Sequence, residues 1–158
     1  MDITFRTEEG IFNYRACAVT LRDGKILAMK DERSPYCYLP GGRVALGETA
    51  EEALLREVRE ELGVEARIVR PLWLNQAFFT EEVSGERYHE LCLYFLTDLS
   101  GTALDDKGDT FTLAEGRHTH QFEWLDLDSL RDTYFYPNFL KEAIFSLPES
   151  LTIRCEYE

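Results

Sequence analysis

The segment from Gly42 to Val64, GRVALGETAEEALLREVREELGV, constrains this chain more than any other stretch. Thr49 with Glu52 three residues later is a capping-box signature, Ala50, Ala53, Leu54, Val58 and Leu62 recur as an apolar helical stripe, and Gly63 supplies a stop. The pattern predicts a helix over about 49–62. Glu57, Glu60 and Glu61 then stand at i, i+3 and i+4, with Cβ atoms about 5–6 Å apart, and can converge on one point. Like charges at these spacings cost a few tenths of a kcal/mol or more per pair, roughly, unless a divalent cation neutralises them. Mg²⁺ or Mn²⁺ fits best, because hard cations take oxygen ligands and nothing here offers the His/Cys set preferred by zinc. The alternative is a solvated, salt-bridged helix face, which Glu52–Arg56 and Arg56–Glu60 at i, i+4 would suit.

Composition bounds what surrounds that helix. A chain of 158 residues is expected to form one domain, 1–158, and 44% hydrophobic with 13% aromatic residues is enough for a sizeable core. The 17 basic and 30 acidic side chains leave a formal charge of −13, which repels phosphate backbones and disfavours broad binding to DNA, RNA or an anionic membrane surface. A phosphorylated substrate would need cations as intermediaries. Cys17, Cys37, Cys92 and Cys155 are far apart in sequence and form no C-x-x-C pair, so buried free thiols are expected rather than zinc or redox chemistry. No secretory pattern and no apolar run of membrane-spanning length is present, and a soluble, reducing, cytoplasmic setting is the expectation.

Along the chain, Tyr14–Leu21 and Lys25–Lys30 read as two strands joined by a hairpin at Asp23-Gly24, and Tyr36–Leu39 as a short strand ended by Pro40-Gly41-Gly42. After the helix, Val64–Thr80 and Arg87–Leu99 read as long strands around a turn at Ser84-Gly85, and 100–117 as a mobile surface loop. His118–Leu125 predicts a strand, Asp128–Thr133 and Asn138–Leu147 short helices, and Leu151–Tyr157 a last strand. The mixture is an α/β or α+β pattern.

The fixed positions Gly42, Glu48, Arg56, Glu57, Val58, Glu60, Glu61, Gly63 and Val64 fit G-x5-E-x7-R-E-U-x-E-E-x-G-U, with U aliphatic, and this resembles the Nudix box. Leu39-Pro40-Gly41-Gly42 leading in and Glu123-Trp124-Leu125 closing a later strand extend the resemblance over about Tyr14 to Leu147. It implies an α/β/α sandwich with a mixed β-sheet and metal-dependent hydrolysis of a nucleoside diphosphate linked to another moiety. By the same resemblance Glu57 and Glu61 are the principal metal ligands, Glu60 an additional or water-mediated one, and the Gly42 carbonyl part of the shell. Glu48 assists nearby, and Arg56 orients the glutamates through charge-assisted bonds. The partner implied is a small diphosphate, and a homodimer is compatible with it.

The general base is a choice among Glu57, Glu48 and Glu115, with a box glutamate favoured; His118 and His120 are within reach, though exposed strand-edge histidines are usually surface residues. Where some relatives carry an extra metal-binding glutamate, this chain has His118, His120 and Gln121, and Glu115 is the first substitute. Alternation along Tyr88–Phe95 lets Glu90 point into a site or cap a hairpin. Tyr36, Tyr38, Trp73, Phe78 and Phe79 are candidates for stacking on a nucleobase, with core packing the competing role for most of 20 aromatics. A non-hydrolytic nucleotide- or metabolite-sensing module is the second reading, against which the intact Glu57, Glu60 and Glu61 argue. A sugar-cleaving carboxylate pair is a distant third, since it needs two groups across a cleft.

Overall fold

The computed structural model describes residues 1–158. In chain order the strands and helices are β1 (Thr4–Arg6), β2 (Ile11–Val19), β3 (Leu21–Arg22), β4 (Lys25–Asp31), β5 (Gly41–Arg43), α1 (Ala50–Leu62), β6 (Arg67–Thr80), β7 (Arg87–Asp98), β8 (Thr110–Glu115), β9 (His118–Asp126), α2 (Leu140–Ala143) and β10 (Thr152–Tyr157). One sheet runs β1-β2-β7-β6-β10, with β5 also paired to β2. It is mixed, because β2–β7 and β6–β10 are parallel while its other pairs are antiparallel. The second sheet, β3-β4-β9-β8, is antiparallel. The architecture is α+β, strand-rich, and no helix is long and apolar enough to cross a membrane.

Helix α1 forms where its sequence predicts. Thr49 accepts from the Glu52 N–H, Glu52 returns the bond to the Thr49 N–H, and Gly63 closes the helix at φ 69°, a left-handed conformation that glycine adopts without a Cβ penalty. Its apolar stripe is buried, with Leu54 and Val58 packed among Ala16, Ala18, Phe95 and Phe122 of the two sheets. A second core on the other side of β2 gathers Val19, Ile26, Leu72, Trp73, Phe135 and Leu140.

Several expectations are corrected. The Asp23-Gly24 turn joins only the two-residue β3 to β4, whereas β2 lies in the other sheet. Strand β2 buries Ala16, Cys17, Ala18 and Val19 in succession, so it needs cover on both faces and takes an interior position beside β7. Residues 36–39 form isolated bridges, Cys37 with Phe135 and Tyr38 with Met29, rather than a strand. The stretch 100–117 is largely ordered, with a 3₁₀ turn at Ala103–Asp106 and strand β8, whose Phe111 stacks on Phe122 at 5.2 Å. Finally, 127–132 is a 3₁₀ helix and α2 a single turn, and the exposed Cys155 departs from the expectation of buried thiols.

Candidate active site

The site is built where β5 meets α1. Strand β5 pairs with β2 through Cys17–Gly41, Ala16–Gly42 and Arg15–Arg43, which lays two glycines beneath the helix. A Cβ on Gly42 would stand 2.5–2.7 Å from both carboxylate oxygens of Glu57, so only glycine leaves that carboxylate its seat. Gly41 donates its N–H to Glu61 Oε1 at 2.9 Å, and Glu61 is 7% exposed. Burial pushes the Glu61 carboxyl well above the usual range, with the charges of Glu57 and Glu115 adding to the rise and the Gly41 N–H opposing it. Burial also raises Glu57, against the pull of Arg56.

Arg56 organises the outer side. Its guanidinium donates to Glu48 Oε1 at 2.6 Å and Oε2 at 3.1 Å, to Glu57 Oε1 at 2.8 Å, to Glu60 Oε2 at 3.4 Å and to the Arg43 carbonyl at 3.1 Å. Glu48 also accepts the Ala45 N–H at 2.7 Å, and the Arg56 bonds hold its carboxyl below the usual range. The expectation that Glu57, Glu60 and Glu61 converge on one point is corrected here: no three acidic, histidine or cysteine side chains are gathered so as to hold a metal ion. Glu61 turns inward to Gly41, Glu57 lies against Gly42, and Glu60 faces outward on Arg56.

The oxygen-only donor set of Glu57 and Glu61, the glycine seat, and the excess negative charge at a buried and a half-buried carboxyl fit a hard divalent cation. Glu115 acts on both carboxyls through its charge. His120, 5% exposed, binds Glu115 Oε1 through Nε2 at 3.0 Å and leaves its buried Nδ1 without a partner, while His118 is exposed.

Beside this cluster lies a cavity of about 340 Å³. Tyr36, Tyr38 and Phe79 line it, whereas Trp73 is core and Phe78 tilts against His89 at 4.5 Å in a separate cleft. Glu90 is buried in its wall rather than capping a hairpin. Sequence reasoning missed Arg15 and Asn75, both also in this wall. The available signal was a polar side chain inside a largely apolar strand, as in NYRACAV and LWLNQAF.

A family model described as NUDIX domain matches residues 12–143. The chain is 31% identical over 112 residues to an ADP-ribose pyrophosphatase of Methanocaldococcus jannaschii, covering 69% of this chain and 59% of that one. It is 39% identical over 89 residues to a CTP pyrophosphohydrolase of Escherichia coli, covering 54% of this chain and 62% of that one. It thus spans about three fifths of the length of these two relatives. The crystal structure of a mutator MutT protein from Bacillus halodurans superposes with a TM-score of 0.62 at 14% identity, over 92% of this chain and 90% of that one, a likeness of fold.

Proposed function

Because the chain belongs to the Nudix family, we propose that it is a divalent-metal-dependent pyrophosphohydrolase, cleaving a nucleoside diphosphate linked to another moiety by attack of water on phosphorus. The observation that carries this reading is the pair Glu57 and Glu61, one seated on Gly42 and the other buried on Gly41, both with carboxyls raised by burial. Glu57, Glu61 and the Gly42 carbonyl would hold Mg²⁺ or Mn²⁺, with Glu60 contributing through water. Such an ion polarises phosphoryl oxygens and lowers the pKa of water.

Arg56 keeps Glu57 in place and is itself anchored by both oxygens of Glu48. Those bonds make Glu48 an anchor rather than a proton acceptor. Glu57 retains Oε2 free of hydrogen bonds and is the carboxylate assigned to take the proton of the attacking water, as the P–O bond to the leaving phosphate breaks. The names of the two relatives support a substrate built on a nucleoside diphosphate or triphosphate. Cation mediation also reconciles an anionic substrate with a chain of charge −13.

The test is hydrolysis of nucleoside triphosphates, nucleotide sugars and dinucleoside polyphosphates with Mg²⁺ or Mn²⁺, using Glu57→Gln as control. Metal-dependent turnover that falls by about a hundredfold or more in the variant is expected. Absence of turnover across the panel, with nucleotide binding retained in calorimetry, overturns hydrolysis in favour of a sensing module.

A further inference from the structure

The cavity beside the carboxylate cluster is chemically lopsided. Arg15 is its one cation, and it makes no ion pair within 4 Å. Most side-chain donors around it are already spent on carboxylates: Tyr36 on Glu81 at 3.2 Å, Tyr38 on Asp31 at 3.1 Å, and Tyr136 on Glu82. The Asn75 amide donates Nδ2 to Glu156 Oε1 at 3.3 Å, and Glu156 is held in turn by the Phe139 N–H at 2.9 Å. A carboxylate only accepts, so this relay fixes the amide orientation and leaves Asn75 Oδ1 buried without a partner. Glu90, also buried, has a single long bond from Asn13 at 3.5 Å. The Tyr94 hydroxyl can serve either polarity. The wall therefore offers one acceptor with no donor, Asn75 Oδ1, and one held only by a long bond, Glu90, and a ligand bringing N–H donors would relieve that desolvation cost.

Register sets the spacing. Arg15 and Asn75 both pair with Cys92 across β2, β7 and β6, which separates their backbones by two strand spacings, about 10 Å. Glu90 pairs with Ala77, one step along the same face from Asn75. Arg15 and Tyr38 lie on the side where the Glu61 charge is felt. Aromatic rings of Tyr36, Phe79 and Tyr136 complete the wall, with Tyr36 and Tyr136 edge to face at 5.0 Å.

Resting on the hydrolase reading above, we infer that this cavity seats the nucleobase of the substrate and selects bases carrying an amino donor, such as cytosine or adenine, over uracil and thymine. Asn75 Oδ1 and the Glu90 carboxylate receive the donor, and Arg15 holds a phosphate on the path to Glu57 and Glu61. Uracil presents carbonyl oxygens where cytosine presents an amino group and would set acceptor against acceptor. A site built to accept from a ligand N–H discriminates strongly against the analogue lacking it.

Cytidine and uridine monophosphates form a matched pair that needs no hydrolysis. Calorimetry in Mg²⁺ should show CMP binding about tenfold or more tighter than UMP. Glu90→Gln, which can turn an amide N–H toward a carbonyl, should narrow that ratio to within about threefold. Asn75→Leu should narrow it as well, and if that variant unfolds, Glu90→Gln decides alone. Arg15→Met should weaken both nucleotides and leave their ratio unchanged. Equal affinity of the wild type for the pair, no binding of either nucleotide, or a ratio unmoved by Glu90→Gln overturns the proposal. Turnover of CTP and UTP at equal kcat/KM also overturns it while leaving hydrolysis standing. A preserved CMP preference without turnover of any diphosphate does the reverse.

Discussion

Glu61 lies in the last turn of α1 with its carboxylate on the Gly41 N–H, where burial and the charges of Glu57 and Glu115 hold its pKa well above the ordinary 4.5. A carboxyl raised on folding binds its proton more tightly in the native state, so its contribution to stability is present below about 4.5 and is lost as pH rises through the raised value. The metal-free protein is therefore expected to lose stability toward alkaline pH. Glu61→Gln keeps an acceptor for Gly41 and removes the charge, and should melt above the wild type at pH 8, with the difference shrinking toward pH 5. The same variant should lose metal-dependent turnover by about a hundredfold or more. Calorimetric melting at both pH values, paired with activity, checks both outcomes, and a variant less stable than wild type at pH 8 would contradict this account. Gly42→Ala is the complementary probe, since its Cβ would displace the Glu57 carboxylate and should weaken Mn²⁺ binding measured by titration.

Helix α1 separates two functions along its length. Its N-terminal capping box is structural, and Thr49→Ala should cost about 0.5–2 kcal/mol in urea unfolding, leaving metal affinity unchanged. Arg56, one turn further on, ties Glu48, Glu57 and Glu60 to the β5 backbone with a planar fork that lysine cannot reproduce. Arg56→Lys is expected to lower Mn²⁺ affinity by about 10–100-fold with little change in melting temperature. The β8–β9 hairpin brings Glu115 to the far side of the cluster, and His120 steadies it from β9. That hairpin was hidden in a polar stretch, because TFTLAE is too short and too mildly alternating to stand out without its partner strand.

Taken together, two sheets wedge the helix between them in a chain of formal charge −13. Binding of a divalent cation to the native state alone should stabilise it by about 2.7 kcal/mol at a free concentration of a hundred times Kd. A melting temperature that rises by several degrees with Mg²⁺ in wild type but not in Glu57→Gln is the expected result. Identical shifts in both proteins would place the ion elsewhere on the acidic surface.

The local pattern of Gly42–Val64 was enough to specify α1, its caps, its buried stripe, and the family to which the chain belongs, because a helix expresses its periodicity and capping within one contiguous segment. Long strands β6 and β7 and the turn between them were legible for the same reason. The separation of β2 from β4 into different sheets was not, since strand partners are chosen by packing between distant segments. Nor was the inward turn of Glu61, the outward turn of Glu60, or the meeting of Arg15, Asn75 and Glu90 around one cavity. Those depend on which residues come face to face once three strands align in register, and on where burial leaves a charge or a carbonyl without its partner, quantities that exist only after the chain has closed on itself.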